Sequence, residues 1–196
     1  SWFTGIVASD CVPDSLFVME PNGSSHDALL FIHPRSPRDS DEFYKNARHG
    51  EFWVGRRMTL DETETKYQLK VRQIESIEEF LKDNKETLLV RGQDSVIDKL
   101  VTEDEEVEKE FLNFISLMRA VKDQYEIDEM QKAIDASVRG FADMVRVFPA
   151  ATSVPRGERV IEAAFYGRAR LEGNENGYPS IVASGAHACI LHWIKN

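Results

Sequence analysis

Cysteine is nearly absent from this chain: Cys11 and Cys189 are the only two in 196 residues. Far apart in sequence, they make neither a disulfide framework nor a zinc knuckle. They read as two reduced thiols of a cytoplasmic protein. Basic residues are also in short supply, with 24 Lys and Arg against 34 Asp and Glu, a formal net charge of −10. A nucleic-acid surface needs Lys and Arg to displace counterions, and a polybasic membrane patch needs them to meet anionic lipid. Neither partner suits this balance. No apolar run reaches the length of a membrane span, and no signal-peptide pattern opens the chain. Common catalytic signatures are missing too: no G-x-S-x-G, H-E-x-x-H, P-loop or G-x-G-x-x-G. Asn22-Gly23-Ser24 matches a glycosylation acceptor but reads as an Asn-Gly turn.

What is present is an ordinary globular composition, 42% hydrophobic and 30% charged. The length is generous for one minimal core and short for two complete domains. Ser1 and Asn196 do not read as natural termini. Ser15 to Met19 and Ala28 to Ile32 are apolar runs joined by Pro21-Asn22-Gly23-Ser24-Ser25, which predicts a hairpin or two neighbouring strands. Ser40 caps a helix to about Ala47, Phe52-Trp53-Val54 reads as a strand closed by Gly55, and Thr59 with Glu62 forms a capping box. Ile74 to Leu81 reads as helix, Thr87 to Val90 as strand and Asp94 to Leu100 as helix. Strands alternating with helices predict an α/β domain.

A second capping box, Thr102 with Glu105, opens a helix whose acids from Glu103 to Glu110 form a solvated face behind Val107, Phe111, Phe114, Ile115 and Met118. Asp123 with Glu126 opens the clearest element. Ile127, Met130, Ile134, Val138, Phe141, Val145 and Phe148 recur at steps of three and four, a helix of about six turns ended by Pro149. Ser153 and Pro155 start the next helix and Gly173 closes it. Ser180 to Ala183 and Ala188 to Trp193 read as strands. His187 and His192 would then lie on opposite faces, a poor chelating pair, and Cys189 and His192 would be separated in the same way. From residue context alone, His192 reads as a satisfied core histidine.

Four segments carry a family resemblance. Arg119-Ala120-Val121-Lys122-Asp123-Gln124-Tyr125-Glu126-Ile127 resembles the R-x-I-K-[SD]-x-x-E-I opening of the pita-bread metallopeptidase domain. Tyr178 to Gly185, followed by Ala188-Cys189-Ile190-Leu191-His192-Trp193, resembles its P-S-x-V-x-S-G…L-H-Y block, with Trp193 in place of the usual Tyr. Phe3-Thr4-Gly5 with Pro13-Asp14 resembles the F-x-Y-L-T-G…E-P-D-A segment of the aminopeptidase P N-terminal domain. Gly50-Glu51-Phe52-Trp53-Val54-Gly55-Arg56-Arg57 is similar to that domain's E-x-W-x-G-x-R block. The four stand in the family's order along almost the whole chain.

The resemblance implies an aminopeptidase P N-terminal domain over residues 1–118, of α/β type, and the first part of an α+β pita-bread domain over 119–196. It implies a metal-dependent Xaa-Pro aminopeptidase, removing the residue before a proline from a peptide, as a homo-oligomer with two divalent ions, usually Mn²⁺. The family's ligands, two Asp, one His and two Glu, lie beyond the L-H-Y block, so the expectation is no metal ligand and no activity in this stretch alone. His192 takes the role of the block's histidine, lining the substrate site and steadying the scissile group. Arg56 and Arg57 are implied near a neighbouring subunit's active site; as residues alone they read equally well as surface or core-edge arginines. The rival readings are an Xaa-Pro dipeptidase or creatinase relative, which the Trp53-to-Arg57 block disfavours, and a metal-free homologue serving as a protein-binding module.

Overall fold

In the computed structural model, which describes residues 2–173 and 175–195, the two apolar runs pair as a hairpin. β1 (Leu16–Asn22) and β2 (Ser25–Ile32) are antiparallel, with Leu16 opposite Phe31 and Asn22 opposite Ser25. Gly23 turns the chain at φ +62°, a conformation that costs glycine nothing because it has no Cβ. A third strand, β3 (Lys70–Gln73), runs parallel to β2 from Lys70 beside Leu29 to Gln73 beside Ile32. The sequence reading missed it because Val71 is its one apolar residue, too little for an alternating pattern. The order β1-β2-β3 puts β2 in the centre of a small mixed sheet. Leu29, Leu30, Phe31 and Ile32 are therefore all buried. Leu29 and Phe31 pack on Ile77, Leu81, Ile97 and Val101, while Leu30 and Ile32 face Ile6 and Val71. With helices around it, this is the expected α/β arrangement.

Helices formed by local signals fall close to where the sequence places them. Ser40 caps α1 (Asp41–Lys45), accepting from Phe43 N–H at 3.3 Å. Glu51–Val54 forms a single helical turn, α2. Thr59 and Glu62 complete their capping box on α3 (Leu60–Tyr67). A 3₁₀ turn at Ile74–Ser76 leads into α4 (Ile77–Asp83). At the start of α5 (Glu105–Met118) the cap is Asp104, which accepts from Val107 N–H at 3.2 Å, rather than Thr102. One acid of this segment is not solvated: Glu108 is buried, with Arg91 Nε 2.8 Å from both of its oxygens.

Three segments depart from expectation. Phe52-Trp53-Val54 lies in α2, Thr87–Val90 joins no sheet, and between Asp94 and Leu100 the helix is a single 3₁₀ turn at Ile97–Lys99. The contacts divide the chain into two compact units, one ending at Phe114 and one beginning at Ile115.

The second unit is built on α6 (Gln124–Ala151) and α7 (Gly157–Glu172). The Asp123–Glu126 box caps α6 as expected. Pro149 does not end it. The helix forgoes the one bond that Pro149 lacks the N–H to make and continues to Ala151. Neither Ser153 nor Pro155 starts α7, which begins after Arg156 with no side-chain cap. The stripe from Ile127 to Phe148 does lie along α6, yet its residues are about half exposed or more. The helix face turned inward is instead Ala136, Gly140, Asp143, Met144, Val147 and Ala151. At Gly140 an added Cβ would come 2.8 Å from the Phe165 ring, which shows how closely α7 approaches. Arg168 seals the seam, bonding Asp143 and Glu172 at 2.7 Å each.

Two glycines give opposite expectations. A Cβ on Gly50 would lie 2.4, 2.5 and 2.7 Å from the carbonyl oxygens of Glu42, Asn46 and Phe43. These are backbone atoms and cannot swing away. Gly167, exposed within α7, has nothing within 4 Å. In urea denaturation, Gly50→Ala should destabilise the first unit by about 1–3 kcal/mol. Gly167→Ala should stabilise the second by up to about 1 kcal/mol through helix propensity. Equal effects from the two substitutions would contradict this packing.

Candidate functional site

A groove of about 1090 Å³ opens in the second unit. One wall is apolar, with Phe141, Val145 and Phe148 from α6. The other carries Glu158, Ser184, His187 and Trp193. Glu158 stands in the first turn of α7, where the helix N-terminus favours a carboxylate. Four donors converge on it. Ser184 gives its backbone N–H at 2.6 Å and its hydroxyl at 3.0 Å, His187 Nδ1 lies 3.0 Å away, and Trp193 Nε1 donates at 3.1 Å. The His187 and Trp193 rings stack at 3.8 Å, only 17° from parallel. Burial raises the Glu158 carboxyl, but the bonds from His187, Ser184 and Trp193 outweigh it and bring it down to about 2.

A carboxylate so fully occupied is poorly placed to take a proton from a substrate. It fixes the segment after Pro179, which bends through a 3₁₀ turn at Gly185–Cys189. The two strands expected here, Ser180–Ala183 and Ala188–Trp193, are absent. A strand needs a neighbour for its peptide groups, and among the described residues none flanks this segment. His192 is accordingly not a core histidine on an apolar strand. It lies exposed in a turn beside Trp193. With Nδ1 bound to Glu158, His187 keeps Nε2 as an acceptor, the tautomer inferred from the contact.

The two arginines lie in the first unit and differ sharply. Arg56 is exposed and reaches Glu62 Oε1 at 2.5 Å. Arg57 is buried, with Nη1 donating to the His33 carbonyl at 3.2 Å and Nη2 to Glu42 at 3.1 Å. Its backbone N–H donates to the buried Glu51 carboxylate at 2.7 Å, and Arg35 sits 3.2 Å from the same carboxylate. The Gly50-to-Arg57 block therefore closes on itself: Gly50 permits the close turn, and Glu51 ties the far end back. Arg57 Nε is buried with no partner.

Sequence reasoning did not single out Glu158 or Ser184, and it weighed His187 only as a poor chelating partner for His192. Glu158 and its donors are separated by 26 to 35 residues, and no local pattern connects them.

The Glu158 cluster predicts a pH dependence. A carboxyl lowered from its ordinary 4.5 to about 2 contributes stability that is complete above 4.5 and lost as pH falls towards 2. The indole N–H resonance of Trp193 should hold its bonded position until that window and then move. In Glu158→Gln the movement should vanish, the neutral amide having no proton to gain there. An acid titration of Trp193 unchanged by Glu158→Gln would contradict the assignment.

No protein-family model matches the chain. Xaa-Pro aminopeptidase 1 of Streptomyces coelicolor is 42% identical over 186 residues, 93% of this chain and 37% of that protein. Xaa-Pro aminopeptidase 2 of the same organism is 42% identical over 193 residues, 97% and 40%. A probable Xaa-Pro aminopeptidase of Paracoccidioides brasiliensis is 44% identical over 79 residues, 40% of this chain and 16% of that protein. The chain thus spans well under half the length of the curated relatives it matches. Among solved structures, a His-to-Ala variant of Escherichia coli aminopeptidase P matches with a TM-score of 0.67 at 19% identity. The match covers 99% of this chain and 44% of that one, and at such identity it speaks for the fold alone. Over nearly its whole length, this chain is a relative of the Xaa-Pro aminopeptidases.

Proposed function

We propose that the protein is an Xaa-Pro aminopeptidase, a hydrolase that removes an N-terminal residue preceding proline. The observation that carries this reading is the 42% identity along 93% of the chain to a protein of that name. Residues 1–118 act as the aminopeptidase P N-terminal domain and 119–196 as the first part of the pita-bread domain. The protein works in the cytoplasm as a homo-oligomer. For the location, the supporting observation is that both cysteines are free thiols.

Two Mn²⁺ ions held by two Asp, one His and two Glu would generate the attacking hydroxide near neutral pH. The residues described here do not fit that centre. Among them, the one group close enough to share an ion is Asp14, His33 and His49, a single carboxylate with two imidazoles. The dinuclear ligands belong after the Leu191-His192-Trp193 block, and this chain alone is expected to be inactive.

Within the chain, His192 and Arg56 are the side chains proposed to meet the peptide. Both are exposed. Arg57, buried among Glu42, Glu51 and the His33 carbonyl, supports the block from behind. For His192 the role is a hydrogen bond where charge develops on the scissile carbonyl. In a protein extended to the length of its relatives, His192→Ala should lower kcat for an Arg-Pro-Pro peptide by about 10²–10³. Melting temperature and bound metal should stay as they were. The 196-residue chain with added Mn²⁺ should release nothing above a metal-only blank in the same assay. Near-normal kcat in the folded, metal-loaded variant would remove His192 from the site.

A further inference from the structure

Three side chains from separate loops of the first unit converge beside the Gly50 turn. Asp14 precedes β1, His33 follows β2 and His49 precedes Gly50. Each offers a ligand atom, and these atoms lie within 4.8 Å of one another. His49 Nε2 is 3.1 Å from Asp14 Oδ2, and the His33 and His49 rings are 4.0 Å apart between centres. Asp14 holds φ +61°, a left-handed conformation uncommon outside glycine. His49 is buried, and its Nδ1 has no partner.

We propose that Asp14, His33 and His49 bind one divalent transition-metal ion, with zinc the best match to two imidazoles and a carboxylate. Four-coordinate zinc places its ligand atoms about 3.3 Å apart. The Asp14–His49 pair, at 3.1 Å, is close to that spacing, and all three ligand atoms lie within 4.8 Å of one another.

Charge on both sides tunes the site. Arg48 donates to Asp14 at 2.6 and 2.5 Å and competes directly with a cation. Its side chain is 63% exposed, so solvent can receive it on release. Arg57 is a second nearby positive charge. Glu75, 3.9 Å from His33 Nδ1, offsets it and can orient the ring. The proposal does not rest on the reading of the protein as a peptidase.

The test is calorimetric titration of the full chain with Zn²⁺ at neutral pH, in a Cys11→Ser/Cys189→Ser background so that thiols cannot ligate. One ion should bind per chain. Co²⁺ should give the visible bands of a four-coordinate site without thiolate charge transfer. His33→Ala, at a partly exposed position and checked for fold by circular dichroism, should weaken binding roughly 100-fold or more, beyond the 10–100-fold typical of a supporting residue. Arg48→Ala should tighten it by removing the competitor. Absence of saturable binding in the parent would overturn the proposal, as would folded His33→Ala and Asp14→Asn variants that bind as tightly as the parent.

Discussion

A peptide group taken from water must find a hydrogen-bond partner, and this requirement sorts the extended parts of the chain. β2 has a neighbour on each side and becomes the buried centre of the first unit. Thr87–Val90 and Ser180–Trp193 are comparably apolar but have no flanking strand among the described residues, and they stay irregular. In the second unit a side chain supplies what a sheet does not. The Glu158 carboxylate accepts from a backbone amide, a hydroxyl and two ring nitrogens, and so sets the path of the segment that carries His192. In the first unit the Glu51 carboxylate plays the same part for the Gly50-to-Arg57 block.

How legible each element is in the sequence follows from how local its cause is. The caps at Ser40, Thr59 and Asp123 act within three residues, and all three form as read. The hairpin is legible because its turn and its strands are contiguous. β3 is not, since its four residues owe their place to β2 rather than to their own pattern. Phe52-Trp53-Val54 has the composition of a strand, but it lies in a single helical turn between Gly50, packed against backbone carbonyls, and Gly55, which leaves the helix at φ +84°. On α6 the large apolar residues draw attention to a stripe that remains mostly exposed. The contact with α7 depends on Gly140, where the absence of a side chain is the feature. Such a position leaves no hydrophobic signal to read.

The site divides in the same way. His192, Arg56 and Arg57 could be named because they stand in motifs, yet motif membership does not separate a contact residue from a structural one. In burial they differ: Arg57 lies inside the fold, while Arg56 and His192 are exposed. Glu158 and the Asp14, His33 and His49 cluster come from distant parts of the sequence and emerge only when the chain is folded.

The central functional claim is specificity for proline in the second position. The direct measurement compares release of the first residue from Arg-Pro-Pro and Arg-Ala-Pro peptides, using a protein that extends this chain to the length of its relatives and is supplied with Mn²⁺. The account predicts turnover of the proline peptide and little of the alanine one. Equal turnover of both, or none of either by folded, metal-loaded protein, would contradict it.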